Sequence, residues 1–259
     1  MTEPFIRLVF FLGTLGLMLL WEWRRPFRKF PEGKTRRLAR HLGLMILNSG
    51  IARILSGGGA YFAAAFAFER HWGLLNQFAL PYGLSFVLAL ILLDFAIYLQ
   101  HVAFHRVPLF WRLHKIHHLD LGFDTTTAIR FHPLEIVLST YYKMALAIGF
   151  GLLPQAVLVF EILLNACALF NHGNARLPGS WERTIRLFLI TPDMHRIHHS
   201  SYRLETDSNF GFSVPFWDKL CGTYCKRPHL GHEGMEIGLK EQRDPKLLDF
   251  WRLLVLPFR

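Results

Sequence analysis

The sequence predicts an all-α integral membrane protein with four to five transmembrane or re-entrant helices and a histidine-rich helical cap on the cytoplasmic side. Apolar residues make up 52% of the 259 residues and charged residues only 19%, which is more apolar than an ordinary soluble domain. The apolar residues form long blocks, and most of the 14 histidines cluster in the polar segments between those blocks. This composition excludes a disordered or collagen-like chain, and three cysteines cannot form a disulfide scaffold.

The first apolar block, residues 4–21, is long enough to cross a bilayer. A cleaved signal peptide is the alternative, but the block lacks a basic segment before it and a small-residue cleavage site after it. We therefore expect an uncleaved span. Eight basic residues between positions 24 and 40 place the following loop in the cytoplasm and the N-terminus outside. Because basic residues flank apolar blocks instead of lining a polar helix, no nucleic-acid partner is expected despite a net charge of +10.

Four more apolar blocks follow, at residues 42–68, 80–99, 134–153 and 154–170. The first two are expected to form an out-and-back pair of spans. The last two are expected to form a helical hairpin, broken near Gly151 and Pro154, that crosses or re-enters the membrane. Asp94 lies inside the block at 80–99, and an ionisable residue within a span is a functional candidate. This topology places both histidine-rich segments on the cytoplasmic face.

Three groups of histidines have spacings that suit metal binding. The first group is H-x3-H and the other two are H-x2-H-H, namely His101 and His105; His114, His117 and His118; and His195, His198 and His199. On a helix, positions i, i+3 and i+4 share a face, so each group can aim its imidazoles at one point. By chance, such a set arises in on the order of one chain in a few thousand. Because imidazole is the commonest metal ligand, the spacing predicts a metal site.

The identity of the metal stays open at the level of the residues. Structural zinc closes with four ligands, and eight histidines exceed what one such ion uses. The sequence has no H-E-x-x-H motif, and Cys221 and Cys225 have no second cysteine pair to complete a zinc site. Imidazole suits iron, copper and zinc alike. Two ions that share eight to ten histidines fit the count best.

The order of these groups, with a long apolar stretch before the last, resembles the fatty acid hydroxylase / sterol desaturase superfamily. The segments HRVPLFWRLHKIHH, RFHPLE, FNHGN and DSNFGFSVPFWDKLCGTY also resemble that family, over residues 91–224. The resemblance implies an integral-membrane oxygenase with a cytoplasm-facing non-haem di-iron centre. We expect a single domain made of membrane helices and a basic loop (1–90), a fatty acid hydroxylase-like catalytic segment (91–225) and an amphipathic tail (226–259).

The resemblance implies that the eight histidines of the three groups bind the metal, together with His172 in FNHGN. Some members have a second histidine four residues after this one, where the present chain has Arg176. His132 in RFHPLE is either a further ligand or a structural neighbour. The remaining histidines are expected at the surface: His41, His71, His229 and His232.

Acidic residues should hold the outer N–H groups of the imidazoles. Position favours Asp94 and Asp207. The wider set of candidates also contains Asp120, Asp124, Glu135 and Asp193. The sequence indicates no particular substrate-binding residues, although aromatic side chains such as Trp111 and Phe131 are expected either in an interfacial belt or in a substrate wall.

The resemblance implies a dioxygen-dependent hydroxylase or desaturase of a lipid, sterol-like or fatty-acyl C–H bond, with two iron ions as cofactor. No haem or flavin module is visible in the sequence, so a separate electron-transfer protein is expected as partner. The alternatives are a histidine-rich membrane metal-binding or transport protein and a catalytically silent family member. A transporter would place ligands in the middle of spans, whereas nearly all these histidines lie beyond span ends. Small size and no targeting sequence favour a bacterial inner membrane over the endoplasmic reticulum.

Overall fold

The computed structural model describes residues 2–29 and 32–259, and within that part every named element is a helix. Seven helices come first: α1 (Glu3–Arg24), α2 (Lys34–Ser56), α3 (Ala60–Glu69), α4 (Tyr82–Arg106), α5 (Pro108–His118), α6 (Pro133–Phe150) and α7 (Pro154–Asn171). Six shorter ones follow: α8 (Gly179–Ile185), α9 (Pro192–His198), α10 (Arg203–Thr206), α11 (Phe216–Leu220), α12 (Gly231–Gly234) and α13 (Phe250–Val255). The predicted all-α fold is confirmed.

Four helical stretches in the described part are long and apolar enough to cross a membrane: Glu3–Arg24, Lys34–Gln77, Tyr82–Arg106 and Pro154–Asn171. The 25 residues of α4 form a helix of roughly 37 Å, which exceeds the ~30 Å hydrocarbon core of a bilayer. The 18 residues of α6 pack between these stretches as a fifth helix of the bundle. Large apolar side chains on α1 point outward, with Leu17 70% exposed. The chain is therefore a multi-pass membrane protein.

The second apolar block is divided between two helices. α2 ends where Gly57 adopts a left-handed conformation (φ 62°), which a glycine accepts without steric cost. α3 then begins at Ala60, and both helices pack against α6. α2 also starts earlier than expected, so that the end of the basic segment is helical. Arg37 and Arg40, which the sequence placed in a basic loop, lie on its first turns and are buried, at 1% and 8% exposure.

The predicted hairpin of the fourth and fifth blocks is formed by α6 and α7. Gly151 (φ 64°) ends α6, and Pro154 at the first turn of α7 starts the return. The core between α3, α4, α6 and α7 contains six buried alanines: Ala60, Ala63, Ala64, Ala89, Ala147 and Ala156. Such small side chains let helices approach closely where lipid supplies no hydrophobic driving force.

Short helices and loops cover the end of the bundle at which α4 and α7 finish. The tail contributes Leu248 and Leu253, which pack on Leu44 of α2 and Ile116 of α5. Trp251 on the opposite side of α13 is 73% exposed. The tail is thus amphipathic and lies against the bundle, which fixes α5 and its histidines from outside.

Candidate metal centre

Four segments bring the histidines together. α4 extends beyond its apolar part and carries His101 and His105 one turn apart on its buried side. α5 packs against α4 and buries three histidines, while α9 carries His195 and His198, and His199 follows as its C-cap residue. The Thr191 side chain caps α9 by accepting from the Met194 N–H, as an N-cap residue commonly does. His172 stands at the C-terminal end of α7.

The nine histidines form two adjacent groups, in each of which one ring nitrogen per residue lies within 4.8 Å of the others. The larger group has five members: His101, His105, His114, His118 and His198. The smaller has four members: His117, His172, His195 and His199. All nine are buried, with at most 3% exposure. The two H-x2-H-H triplets are therefore each divided between the two groups.

Backbone carbonyl groups fix which ring nitrogen carries the proton in four of these histidines. Their Nδ1–H groups donate to main-chain oxygens at 2.7 to 3.2 Å: His101 to Phe210, His198 to Ser208, His172 to Ala168 and His117 to Arg130. A carbonyl oxygen only accepts, so Nδ1 carries the proton and Nε2 keeps a free lone pair. This is the form in which an imidazole binds a metal ion.

Two carboxylates hold further rings of the five-histidine group. Nδ1 of His114 lies 2.6 Å from an oxygen of Glu135, and Nδ1 of His105 lies 3.2 Å from an oxygen of Asp207. The structure thus places Asp207 where the sequence favoured it. It places Asp94 elsewhere, because that carboxylate accepts from the indole N–H of Trp217 at 2.8 Å.

The remaining acidic candidates contact arginines. Arg196 on α9 donates to Asp193 at 2.6 Å. Asp120 pairs with Arg37 and Arg130, and Arg37 also reaches Asp124 at 3.1 Å. Burial alone would raise the pKa of Asp120, but the two arginines hold that pKa below its ordinary value. This buried network supports Arg130, whose main-chain oxygen orients His117.

The inner ring nitrogens of the four-histidine group lie close to one another. The Nε2 atoms of His117 and His172 are 3.0 Å apart, and those of His172 and His195 are 3.1 Å apart. Since the carbonyl contacts leave Nε2 of His117 and His172 unprotonated, two lone pairs meet at that distance. Nε2 of His105 and His198 have no hydrogen-bond partner in the described part. A cation between these atoms would convert repulsion into coordination, so the donor set fits metal ions.

Burial keeps His118, His172, His198 and His199 neutral. It lowers the pKa of His118 and His199 well below the ordinary histidine value and lowers the pKa of His172 and His198 to about 3. A metal ion binds only neutral imidazole. Because burial disfavours the proton that would compete for the ring nitrogen, it favours metal binding.

Three other residues considered in the sequence analysis lie outside the two histidine groups. His132 lies outside both groups: its Nδ1 accepts from the Leu134 N–H and its Nε2 donates to the Leu254 oxygen, so it caps α6 and ties down the tail. The Arg176 side chain is 49% exposed and faces Asp193 and Glu233. His41 was expected at the surface and is fully buried, with Nδ1 2.8 Å from the Thr126 hydroxyl, because α2 packs on residues 125–129. That expectation was wrong.

A cavity of about 170 Å³ reaches the five-histidine group from inside the bundle, between α4, α6 and α7. His101, His114 and Glu135 line one end. Apolar side chains such as Phe104, Phe131 and Ile136 and a few polar ones line the rest. A largely apolar cavity with few polar groups suits a small-molecule or lipid ligand. The Phe131 ring also stacks on His117 at 4.4 Å between ring centroids.

A buried polyhistidine site at the end of a bundle of apolar helices defines a class of helical membrane proteins able to bind metal. Residues 86–223 match the family model named fatty acid hydroxylase, and this match covers more than half of the chain. The chain belongs to the fatty acid hydroxylase family. The resemblance found in the sequence is thereby confirmed.

The relatives it matches include hydroxylases and monooxygenases. The chain is 28% identical over 235 residues to the ornithine lipid hydroxylase OlsE of Rhizobium tropici. The aligned residues cover 85% of this chain and 67% of that protein. It is 29% identical over 139 residues to the alkylglycerol monooxygenase of Homo sapiens (51% of this chain, 28% of that protein). It is 27% identical over 145 residues to the cholesterol 25-hydroxylase of Rattus norvegicus (55% and 47%).

The chain therefore spans about two thirds of the bacterial relative and less than half of the two animal ones. No solved structure matches it. Because these relatives are oxidoreductases of one family, the chain is an oxidoreductase.

Some contacts within the site are not marked by any residue pattern in the sequence. The oxygens of Phe210 and Ser208 belong to the main chain, which no residue type marks. Their segment, DSNFGF, stood out only through the family resemblance. Glu135 follows RFHPL at the start of α6, and its nearness to His114 depends on how α5 and α6 pack.

Proposed function

We propose that the protein is a membrane-bound non-haem di-iron oxygenase that hydroxylates or desaturates a C–H bond of a lipid, with dioxygen and external electrons. The observation that carries the proposal is the pair of buried histidine groups, five and four, whose free ring nitrogens converge at adjacent points. Two ions sharing nine imidazoles account for both groups at once. The names of the hydroxylase and monooxygenase relatives support lipid oxidation.

Each group would hold one iron ion. His101, His105, His114, His118 and His198 would hold the first, and His117, His172, His195 and His199 the second. Two ferrous ions supply the means to reduce dioxygen and to oxidise an unactivated C–H bond. The chain itself contributes position. Asp207 and Glu135 fix the rings of His105 and His114 and partly offset the charge of a site built from neutral ligands.

The cavity between α4, α6 and α7 would receive the hydrocarbon chain of the substrate. His101 and His114 at its end would place the reacting carbon next to the first ion. Phe131 and Phe212 line the same cavity and would exclude water from the reacting carbon. Since the cavity lies among membrane helices, a lipid could enter it without leaving the bilayer.

The orientation and the partners form part of the same proposal. We place the histidine groups on the cytoplasmic face of a bacterial inner membrane, where a separate electron-transfer protein can reach them. The basic residues between positions 24 and 40 support that orientation. His132 would be structural, and the second ion would have four histidine ligands.

Incubation of the iron-loaded protein with total lipid extract, a reductant and isotopically labelled dioxygen tests the proposal. The expected result is a hydroxylated lipid that carries the label, or a desaturated lipid with labelled water. The variant His198→Ala should form neither, whereas His229→Ala, at an exposed histidine, should match the wild type. Unchanged lipids with iron-loaded wild-type protein would contradict the proposal.

A further inference from the structure

A basic groove lies outside the five-histidine group and shares no lining residue with the substrate cavity. It has a volume of about 330 Å³ and is lined by α5, the segment around α10 and residues 239–242. Its charged side chains are four cations and one carboxylate: Arg112, Lys115, Arg203, Lys240 and Glu241. Trp111 also lines it, and we call it the Trp111 groove.

The cations of the Trp111 groove are poorly compensated. Arg203 pairs with Asp207 at 2.7 Å, but Arg112, Lys115 and Lys240 form no ion pair with any described residue. Arg112 and Lys115 are three residues apart on α5 and so stand side by side. Like charges held together in a concave surface raise the local positive potential and attract an anionic partner.

Trp111 connects this groove to the histidines. Its ring lies 4.9 Å from the ring of His105 and 5.5 Å from the ring of His118, measured between centroids. The Arg203 guanidinium lies over the Trp111 ring at 5.2 Å. A second path runs through hydrogen bonds from Arg203 to Asp207 and from Asp207 to His105. A charged partner in the groove would therefore lie one side chain away from two ligands of the proposed first iron.

We propose that the Trp111 groove docks a small acidic one-electron carrier protein that delivers electrons to the five-histidine group. This inference rests on the proposed oxygenase function. Hydroxylation of R–H consumes one dioxygen, two electrons and two protons and gives R–OH and one water. The carrier is oxidised by one electron at each of two encounters, and solvent supplies the protons. An anionic lipid headgroup would match the charges, but the contact of Trp111 with two histidines would then have no role.

The test compares a groove variant with a charge-matched control. Arg112→Glu/Lys240→Glu reverses two exposed charges in the groove, and Arg183→Glu/Lys226→Glu reverses two exposed charges outside it. Each iron-loaded protein is reconstituted in phosphatidylcholine vesicles. The probe is a plant-type [2Fe–2S] ferredoxin, an acidic one-electron carrier. Its binding is measured by co-flotation in the oxidised form, and electron delivery is measured by the rate at which the reduced form is reoxidised.

For the wild type we expect binding and a reoxidation rate that both fall as ionic strength rises. The groove variant should react about tenfold or more slowly at low salt, and the control variant within about twofold of the wild type. Dithionite, which needs no docking site, should reduce the iron of all three proteins alike. Equal rates for groove and control variants, or no ferredoxin binding by the wild type, would overturn the docking proposal.

Two further outcomes separate the possible failures. If dithionite does not reduce the wild-type iron, the oxygenase function fails, while co-flotation of oxidised ferredoxin still reports on the groove. If the groove variant binds ferredoxin as the wild type does but co-purifies with fewer phosphatidylglycerol molecules, the groove binds lipid headgroups and the docking proposal is overturned.

Discussion

Nδ1 of His114 lies 2.6 Å from a carboxylate oxygen of Glu135, which joins the last turns of α5 to the first turn of α6. Both side chains are buried. A carboxylate is favoured at a helix N-terminus, so the position of Glu135 stabilises its own charge as well as the ring it holds. One side chain thus links the five-histidine group to a wall of the substrate cavity, which Glu135 and His114 both line.

Replacement of Glu135 by Gln should weaken iron binding at the five-histidine group by about 10- to 100-fold, because the ring of His114 loses its anionic partner. The four-histidine group should keep its iron. Asp94→Asn is the matched control, since Asp94 contacts Trp217 and no histidine among its described hydrogen bonds. Iron titration monitored by absorbance measures both. Equal affinity losses in the two variants would contradict the role of Glu135.

The metal-free protein should lose stability as the pH falls below about 6.5. Burial lowers the pKa of His172 and His198 to about 3, while the same residues in the unfolded chain take up protons near pH 6.5. Between these values the unfolded state holds more protons, so the free energy of unfolding is highest above pH 6.5 and falls on acidification.

Denaturation midpoints of the metal-free protein across this pH range measure the effect. His198→Gln should give a shallower dependence on pH than the wild type, because one buried neutral imidazole is gone. His229→Gln removes an exposed histidine and should leave the dependence unchanged. The same slope for His198→Gln as for the wild type would show that its burial does not set the pH response.

A bulky side chain in the cavity should block the substrate without removing iron. Ile136 lines the cavity, whereas Leu138 on the same helix is 42% exposed on the outer surface. Ile136→Trp should lower lipid turnover by about tenfold or more, because the reacting carbon no longer reaches its position. Leu138→Trp should have little effect. Product formation and iron content are measured together, and equal turnover by the two variants would rule out this cavity as the substrate site.

The turn between α6 and α7 should not tolerate a side chain. Gly151 has φ 64°, and a Cβ there would overlap the main-chain oxygen of Trp72 and the side chain of Asn76. Gly151→Ala should therefore destabilise the protein by at least about 1 kcal/mol. Gly149→Ala is the control, because a Cβ at Gly149 meets nothing within 4 Å and alanine favours the helix. Unfolding in detergent measures both, and similar midpoints would refute the close contact.

The all-helical fold and the helix faces that the histidines share were predictable from the sequence, because both depend on local patterns. Long apolar blocks need helices in a bilayer, and the spacing i, i+3, i+4 sets which histidines share a face. The break at Gly151 was predictable for the same reason. The break at Gly57 is not marked in the same way, since glycines within an apolar block indicate either close packing or a turn.

The features that depend on packing between distant segments could not be predicted. Asp94 is the exception, because helix geometry alone shows that it lies seven residues before His101 on α4, roughly 10 Å along the helix and too far for a hydrogen bond. Glu135 is closer to the site because α6 starts beside α5. His41 is buried because α2 contacts residues 125–129, and no local pattern reports that contact. The partition of each triplet between two groups likewise follows from the arrangement of four helices, α4, α5, α7 and α9.

The iron content of single-group variants tests the central claim most directly. His198→Ala removes a member of the five-histidine group and His172→Ala removes a member of the four-histidine group. After anaerobic loading and removal of excess metal, the wild type and the exposed-histidine control His71→Ala should hold about two irons per chain, and each of the other variants about one. One iron in the wild type, or loss of all iron from either variant, would contradict two separately held ions.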